Sequence, residues 1–369
     1  MASRIVVFGA TGYTGRLVCE RLVAGGARPV VAARSEASLR ELAERLGGLE
    51  WRRADALRRN SVFDLVEDGD VLISTVGPFA KWGDAAARAA IAAGAVYLDS
   101  TGEAAFIRRV FEELGPPAAR AGATLLTAMG YDFVPGQLAG ALALREAGEA
   151  AARVDVGYYA LGMSIASPGT RESSVGIVLS DSHTFRAGRI QTVRNAERVR
   201  SFTVKGAARQ AVSVGGVEQF TLPRLQPGLR EVNVYLGWFG ALARPLQAGS
   251  LVGSYAQRVP GVRAALQLAG ERLVGLASDP EAGTTPGGRS WIVAEALDAR
   301  GEKLAEVQLA GADPYDFTAA FMAWAARHAA AHGVHGAGAL GPVEAFGLET
   351  LEAGCREAGL ERVREPAAA

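Results

Sequence analysis

The first 130 residues alternate short β-branched apolar runs with longer Ala-, Leu- and Arg-rich stretches of helical periodicity. Stretches such as GRLVCERLVAGG carry apolar residues at helical spacing, and glycines follow where each helix should end. Short buried strands separated by helices are typical of a doubly wound parallel sheet, so the pattern predicts an α/β Rossmann domain. The predicted strands are RIVVFGA, PVVAAR, LEWRRAD, DVLISTVG, AVYLDST and ATLLTAM.

After Met129 the pattern changes to longer strands of alternating polarity, several of them joined by turn residues rather than by helices. Residues 298–301, Asp-Ala-Arg-Gly, predict a hairpin turn inside RSWIVAEALDARGEKLAEVQLAG. This part of the chain predicts a second, α+β domain with a mainly antiparallel sheet. Residues 318–332 and the segment GPVEAFGLETLEAGCREAGL predict further helices.

Composition narrows the class of protein. Lys plus Arg and Asp plus Glu number 39 each, which argues against nucleic acid or an anionic membrane as a partner. Two cysteines exclude a disulfide framework, and no Cys/His group has zinc spacing, so we expect no metal site. No apolar run reaches the ~20 residues that span a bilayer. No charged leader precedes the first strand, so we expect a cytoplasmic protein.

The stretch VVFGATGYTGRLV carries glycines at spacing G-x-x-G-x-x-G between the first strand and the first helix. Gly9 allows a tight turn, Gly12 lets the backbone approach a pyrophosphate, and Gly15 allows close packing of helix on strand. The helix N-terminus supplies oriented N–H groups for the phosphates. The cofactor-binding residues predicted here are Gly9, Thr11, Gly12, Tyr13, Thr14 and Gly15.

The end of the second strand predicts which dinucleotide is bound. NAD sites usually place an acidic residue there, whereas this chain has Arg34 followed by Ser35. Because a guanidinium grips a 2′-phosphate through two charge-assisted bonds, NADP(H) is favoured. Asp55, which ends the third strand, is predicted either to contact the adenine edge or to cap a helix.

Ligands bind at the carboxyl ends of the strands in open α/β sheets, where STVGPFAKWG and YLDSTGEAAF follow the fourth and fifth strands. Asp99, Thr101 and Glu103 are polar candidates there. The alternative is that Ser100 or Thr101 caps the next helix, with Glu103 in its first turn. The residues predicted to face the nicotinamide side are Val76, Gly77, Pro78, Phe79, Thr101 and Gly102.

The segment GYDFVPGQLAG lies at the junction of the two predicted domains. Tyr131 is a candidate to donate a proton or polarise a carbonyl, and Asp132 is a candidate for acid–base work. The alternative for Asp132 is that it caps the helix after Pro135. His328 and His332 stand four residues apart but lack the carboxylate of an H-E-x-x-H metal site.

Four segments in order, GATGYTGRLV, VGPFAKWGDAAARAAIAAGAVYLDSTGE, GYDFVPGQLAG and SPGTRESS, resemble the saccharopine dehydrogenase-like oxidoreductases. Together with GALGPVEAFGLETLEAG, they are most similar to the actinobacterial branch of trans-acting enoyl reductases. The resemblance implies NADP(H) as cofactor. It also implies a Rossmann domain at 1–130, a substrate or homodimerisation domain at 131–332, and a segment at 333–369 that returns to the Rossmann domain.

The resemblance leaves three functions open. A trans-acting enoyl reductase reduces the double bond of an acyl chain carried by a separate polyketide synthase, a saccharopine-type enzyme reduces an imine, and a sensor binds the dinucleotide without turnover. A saccharopine-type substrate needs convergent basic residues, and Arg171, Arg194, Arg224 and Arg230 are scattered in sequence. The stretch NVYLGWFGALARPLQAGSLVG predicts either the lining of a lipid-like channel or a core strand followed by a buried helix. These features favour the enoyl reductase.

Overall fold

The computed structural model describes residues 3–162, 181–256 and 288–363. Two compact units divide the chain. The first contains residues 1–138 and 314–360, and the second contains residues 139–313 and 361–369. The segment SPGTRESS and Arg171 lie outside the described residues.

The first unit contains a seven-stranded sheet in which every strand pairs in parallel with its neighbours. Its strands are β1 (Ile5–Phe8), β2 (Val30–Ala33), β3 (Trp51–Arg53), β4 (Val71–Ser74), β5 (Val96–Asp99), β6 (Thr124–Leu126) and β15 (Gly338–Ala339). The spatial order is β15-β6-β5-β4-β1-β2-β3. All four residues of β1, β2 and β4 are buried, as expected for strands covered on both faces. The predicted Rossmann domain is confirmed.

Helices connect these strands. They are α1 (Tyr13–Ala24), α2 (Glu36–Arg45), α3 (Arg59–Phe63), α4 (Phe79–Ala93), α5 (Ala104–Arg109), α6 (Gly115–Ala121) and α7 (Val134–Ala147), followed late in the chain by α10 (Pro314–His332), α11 (Pro342–Phe346) and α12 (Leu348–Glu357). A π-helical turn at Val110–Leu114 joins α5 to α6. Gly94 ends α4 with φ +71°, which explains a glycine at that position.

The long helix α10 belongs to the first unit, so the return to this unit begins at Pro314 rather than at the predicted residue 333. Tyr315 packs edge-on against Tyr13, with 5.3 Å between ring centroids. The Thr318 hydroxyl accepts a hydrogen bond of 3.0 Å from the Tyr131 amide. The sequence pattern shows a helix here, but nothing in it says which sheet the helix covers.

The second unit contains a nine-stranded, mainly antiparallel sheet, and the predicted α+β class is confirmed. The strands are β7 (Arg153–Leu161), β8 (Asp181–Arg186), β9 (Arg189–Arg194), β10 (Val199–Val204), β11 (Ala207–Val214), β12 (Glu231–Leu236), β13 (Arg289–Leu297), β14 (Lys303–Gly311) and β16 (Leu360–Arg362). Its described helices are α8 (Glu218–Leu225) and α9 (Ala243–Ala256). The order is β10-β11-β12-β7-β13-β14-β16, with the β8–β9 hairpin paired to β12. Among these pairs β12 and β7 run parallel.

The predicted hairpin between β13 and β14 is present. The Asp298 carboxylate accepts hydrogen bonds from the amides of Arg300 and Glu302, at 2.8 and 2.9 Å, and holds the turn closed. On one face of the sheet, Tyr159, Phe202, Tyr235 and Val293 form a buried cluster. This cluster is the apolar centre beside which the charged groups described below are held.

The stretch NVYLGWFGALARPLQAGSLVG is divided between the strand β12 and the helix α9. The sequence predicts that it either lines a channel or forms a core strand and a buried helix. Five of the six residues of β12 are buried. The helix α9, by contrast, leaves Leu251 at 44% and Val252 at 67% exposure, so the expectation of a buried helix is wrong. The exposed face of α9 therefore carries apolar side chains, which the periodicity of the sequence predicts to be buried. Within the described part of the chain, no helix is long and apolar enough to cross a membrane.

Candidate dinucleotide site

The turn between β1 and α1 is built around two close approaches that require glycine. Gly9 has φ +93°, and a side chain there would meet the Thr75 hydroxyl at 2.6 Å. The Thr75 hydroxyl donates to the Gly9 carbonyl at 3.1 Å, which ties the loop after β4 to the loop after β1. A Cβ on Gly15 would lie 2.2 Å from the Gly9 carbonyl oxygen, so helix and strand pack at backbone contact.

The N-terminus of α1 fits a pyrophosphate. Gly12 precedes the helix in an extended conformation, offers no side-chain cap, and is exposed. The first turn holds no acidic residue that would occupy its amides. Free N–H groups at the positive end of a helix dipole bind phosphate. The neighbouring Thr11, Tyr13 and Thr14 are half-buried beside this turn, and their contact with a cofactor stays a prediction.

Two guanidinium groups lie at the carboxyl ends of adjacent strands. Arg34 follows β2 and Arg53 ends β3, with Ala33 paired to Arg53 in register. The Arg53 Nε donates to the Arg34 carbonyl at 3.2 Å, and both side chains are exposed. This pair suits the 2′-phosphate of NADP(H). Sequence reasoning found Arg34 and missed Arg53, whose signal was the second arginine of LEWRRAD.

The two other residues predicted at this edge hold the local backbone. The Ser35 hydroxyl caps α2 by accepting from the Ser38 amide at 3.3 Å. Asp55 accepts from the Leu57 amide at 3.0 Å and closes a turn, whereas the residue before α3 is Arg58. The alternative that Asp55 caps a helix is therefore wrong. Contact of Ser35 or Asp55 with the cofactor stays a prediction.

The loop after β4 runs through Val76 and the exposed Gly77 and Pro78 to the start of α4, with a cis bond between Gly77 and Pro78. The Glu103 carboxylate accepts from the amides of Phe79 and Ala80, at 2.6 and 2.9 Å. Glu103 therefore caps α4 through its side chain and does not lie in the first turn of α5, because it is itself the residue before α5. The alternative that places Glu103 in the first turn of α5 is wrong because the fold brings two strand-end loops together, and its role as a site residue stays a prediction.

Asp99, at the end of β5, is a buried carboxylate that joins two loops. One oxygen accepts from the amides of Thr101 and Ala128, both at 2.9 Å. Burial raises the pKa of Asp99 to about 6 against the lowering effect of these bonds. The Thr101 hydroxyl accepts from the Glu103 amide at 3.0 Å and is buried. Neither Ser100 nor Thr101 is the residue that caps α5, so that alternative is wrong.

Asp132 has a carboxyl group whose pKa is raised further than that of Asp99. Its Oδ1 is buried without a hydrogen-bond partner, and burial alone raises its pKa to about 7. It therefore does not cap α7. A Cβ on the exposed Gly102 would stand 3.4 Å from the Asp132 Oδ2, which places this carboxyl beside the loop after β5. The Tyr131 side chain is buried next to it in the chain.

The remaining chemical candidates of the sequence have structural roles. Cys19 is buried in α1, and burial raises the pKa of its thiol to about 12. His328 stacks on Trp324 and contacts His332 with the rings tilted, and burial lowers the pKa of His328. No group of three His, Cys, Asp or Glu side chains is arranged to hold a metal ion within residues 3–162, 181–256 and 288–363.

Comparison with known proteins bears on this site directly. Residues 5–126 match the family model described as the saccharopine dehydrogenase NADP binding domain. The match covers about a third of this chain. The matched residues contain the glycine turn and both strand-end arginines, so the cofactor of the domain is NADP(H).

The matched relatives share about a third of their length with this chain. A trans-acting enoyl reductase of Mycobacterium tuberculosis is 35% identical over 140 residues, which are 36% of this chain and 34% of the relative. A lipid droplet localized protein of Caenorhabditis elegans is 32% identical over 146 residues, with the same two shares. The family model, together with the enoyl reductase among the relatives, supports an NADP-dependent oxidoreductase.

The whole fold has a solved counterpart. The saccharopine dehydrogenase (L-Glu forming) of Saccharomyces cerevisiae superposes with a TM-score of 0.59, covering 98% of this chain and 99% of its own, at 16% identity. At this identity the likeness shows the two-domain fold alone.

Proposed function

We propose that the protein is an NADP(H)-dependent oxidoreductase that reduces the C=C bond of an enoyl thioester. The cofactor domain and the enoyl reductases among its relatives support the reaction class. The observation that carries the proposal is Asp132, a carboxyl without a hydrogen-bond partner among the described residues, whose burial holds its pKa at about 7. A group with this pKa is half protonated at neutral pH, as a general acid must be.

Reduction of the double bond adds two electrons and two hydrogens. When bound, NADPH supplies a hydride to the β-carbon of the thioester. Asp132 donates the proton that the α-carbon takes up, and its carboxylate then regains a proton from water. Because its pKa is raised, Asp132 carries a proton to donate at neutral pH. It can also exist there as the carboxylate, as it must after the donation.

The enolate oxygen that forms during the reaction needs hydrogen-bond donors. The loop Val76 to Phe79 offers backbone amides, but the Phe79 amide is already bound to Glu103. The other candidates are the amides of Val76 and Gly77 and, from the sequence, the Tyr131 side chain. We propose the Gly77 amide in particular, because Gly77 is exposed and a Cβ there would meet no atom closer than 3.6 Å.

The substrate follows from the same proposal. A trans-acting enoyl reductase works on a chain that another protein carries, so we propose an acyl chain carried by a polyketide synthase that acts in trans. The alternative is a saccharopine-type imine formed from an aldehyde and an amino acid. The non-catalytic sensor is a further alternative, which predicts equal binding of NADP+ and NADPH and no turnover.

Loss of NADPH absorbance tests the proposal with crotonyl-N-acetylcysteamine as a simple enoyl thioester and with an aldehyde plus glutamate as the imine source. We expect turnover with the thioester, and Asp132→Asn to lower kcat by about 10²- to 10⁴-fold. The control is Asp316→Asn, an aspartate whose side chain is 60% exposed, which should leave kcat unchanged. Turnover with the aldehyde and amine alone would replace the proposed reaction by imine reduction. Full activity of Asp132→Asn would remove the assigned acid.

A further inference from the structure

Three arginines of the second unit converge on one open cavity of about 560 Å³. Arg153 begins β7, Arg198 immediately precedes β10, and Arg200 lies in β10. None of the three is among the basic residues that sequence reasoning selected. In the sheet order β11 and β12 lie between β10 and β7, so nothing in the sequence shows that these arginines meet at one cavity.

Buried carboxylates hold two of these arginines from beneath. Arg153 binds both oxygens of Asp155, with 3.0 Å between Nε and Oδ1. Arg200 contacts Asp155 and Glu295. The carboxylates are the deeper partners: Asp155 has a side-chain exposure of 0% against 32% for Arg153, and Glu295 has 12% against 21% for Arg200. The two guanidinium groups are therefore held by carboxylates that are less exposed than they are.

The third arginine is held in the same way and keeps most of its donors. Arg198 Nη1 donates to Glu231 at 2.5 Å, and the carboxylate is again less exposed, at 23% against 37%. A guanidinium has five N–H donors. The Nε and Nη2 of Arg198 have no partner in the part of the chain that the structure describes. These donors remain for a ligand or for water.

The hydroxyl of a buried tyrosine lies at the same cavity and is an independent indication of a ligand. Tyr235 lines the cavity, and its side chain is 2% exposed. Its hydroxyl has no hydrogen-bond partner within the described ranges. Burial raises the pKa of this phenol, while the positive charges of Arg200, Arg153 and Arg198 act in the opposite direction. The hydroxyl therefore stays protonated at neutral pH, surrounded by cations and free to donate.

We propose that this cavity binds an oxyanion, the carboxylate or phosphate group of a small molecule. Planar guanidinium forks match both groups, and the Tyr235 hydroxyl adds a neutral donor. Asp155, Glu231 and Glu295 balance the three arginines in charge, and Glu197, which also lines the cavity, is paired with Arg186. Recognition therefore depends on directed N–H and O–H donors rather than on net charge. The assignment does not depend on the proposed enoyl reduction.

Calorimetric titration of the full chain tests the site with two probes, inorganic phosphate and glutarate, at constant ionic strength. Saturating NADP+ is present so that the phosphate-binding groups of the N-terminal domain are occupied. We expect at least one probe to bind with a Kd of about 1 mM or tighter. Tyr235→Phe should weaken that binding about tenfold, and Arg198→Lys, which keeps the charge but loses the fork, should weaken it by a similar factor.

Matched controls come from the same unit. Tyr159→Phe removes a hydroxyl that is bound to the Arg209 carbonyl, and Arg362→Gln removes an arginine paired with Glu146 at a similar 32% exposure. Both variants should bind the probe as the wild type does. Binding of phosphate alone identifies a phosphate site, and binding of glutarate alone identifies a carboxylate site. Binding of neither probe, or an affinity that Tyr235→Phe and Arg198→Lys leave unchanged, would overturn the proposal.

Discussion

Replacement of Asp132 by asparagine should stabilise the folded protein relative to the wild type. This gain should be larger at alkaline pH than at acidic pH. Burial of this carboxyl raises its pKa from the ordinary value of 3.8 to about 7. Below pH 4 the carboxyl is protonated in both the folded and the unfolded chain. Between pH 4 and 7 the unfolded chain releases the proton while the folded chain retains it, so the wild type loses stability as the pH rises.

The size of the effect follows from the two pKa values, which differ by about 3. Each pKa unit corresponds to ~1.4 kcal/mol, so complete burial would cost the wild type about 4 kcal/mol above pH 7. The Asp132 side chain is half-buried, and solvent reduces this cost. We therefore expect the asparagine variant to gain about 2 to 4 kcal/mol between pH 4 and pH 8. Asparagine has nearly the same shape as the protonated acid, so the two proteins should differ little at pH 4.

Urea unfolding at pH 4 and pH 8 measures this difference from the transition midpoints of both proteins. The matched control is Asp316→Asn, since Asp316 is exposed and lies in the same unit. It should shift the free energy of unfolding by less than about 0.5 kcal/mol at either pH. If Asp132→Asn changes stability equally at both pH values, the carboxyl titrates as an exposed group and the assigned general acid has no physical basis.

Two further predictions concern the cofactor domain. Arg34→Ala and Arg53→Ala should each raise the Kd for NADPH about 10- to 100-fold and leave the Kd for NADH unchanged, measured by fluorescence titration; an equal loss for both cofactors would mean that neither guanidinium reads the 2′-phosphate. Gly15→Ala should destabilise the chain by about 1 to 3 kcal/mol, because its Cβ would lie 2.2 Å from a carbonyl oxygen. The control Gly249→Ala places its Cβ in open space on a helix and should not lower the thermal midpoint of unfolding. Equal thermal midpoints for the two variants would contradict the close packing at Gly15.

The sequence predicts well where local patterns carry the information. Alternation of apolar strands and amphipathic helices locates β1 to β6, and the glycine spacing locates the phosphate turn, because both depend on residues close together in the chain. Arg34 is found for the same reason, since it directly follows a predicted strand. Arg53 is missed because its importance arises from the pairing of β2 with β3 in the sheet.

Prediction also fails where a short motif has two local meanings. Glu103 and Thr101 look like the start of a helix, and the sequence does not show that Glu103 accepts from the first amides of the preceding helix, α4. Asp132 looks like either an acid or a cap. The structure distinguishes these interpretations because it shows which polar atoms already have a hydrogen-bond partner.

By itself, the sequence of this protein determined the fold class, the dinucleotide turn and the preference for NADP(H), all of which depend on short-range spacing and on a single charged residue at a strand end. Tertiary structure alone decided the raised pKa of Asp132, the membership of α10 in the first unit, and the convergence of Arg153, Arg198 and Arg200 on one cavity. The physical reason is the same for all three. Burial and convergence depend on which distant segments pack together, and no local pattern records that.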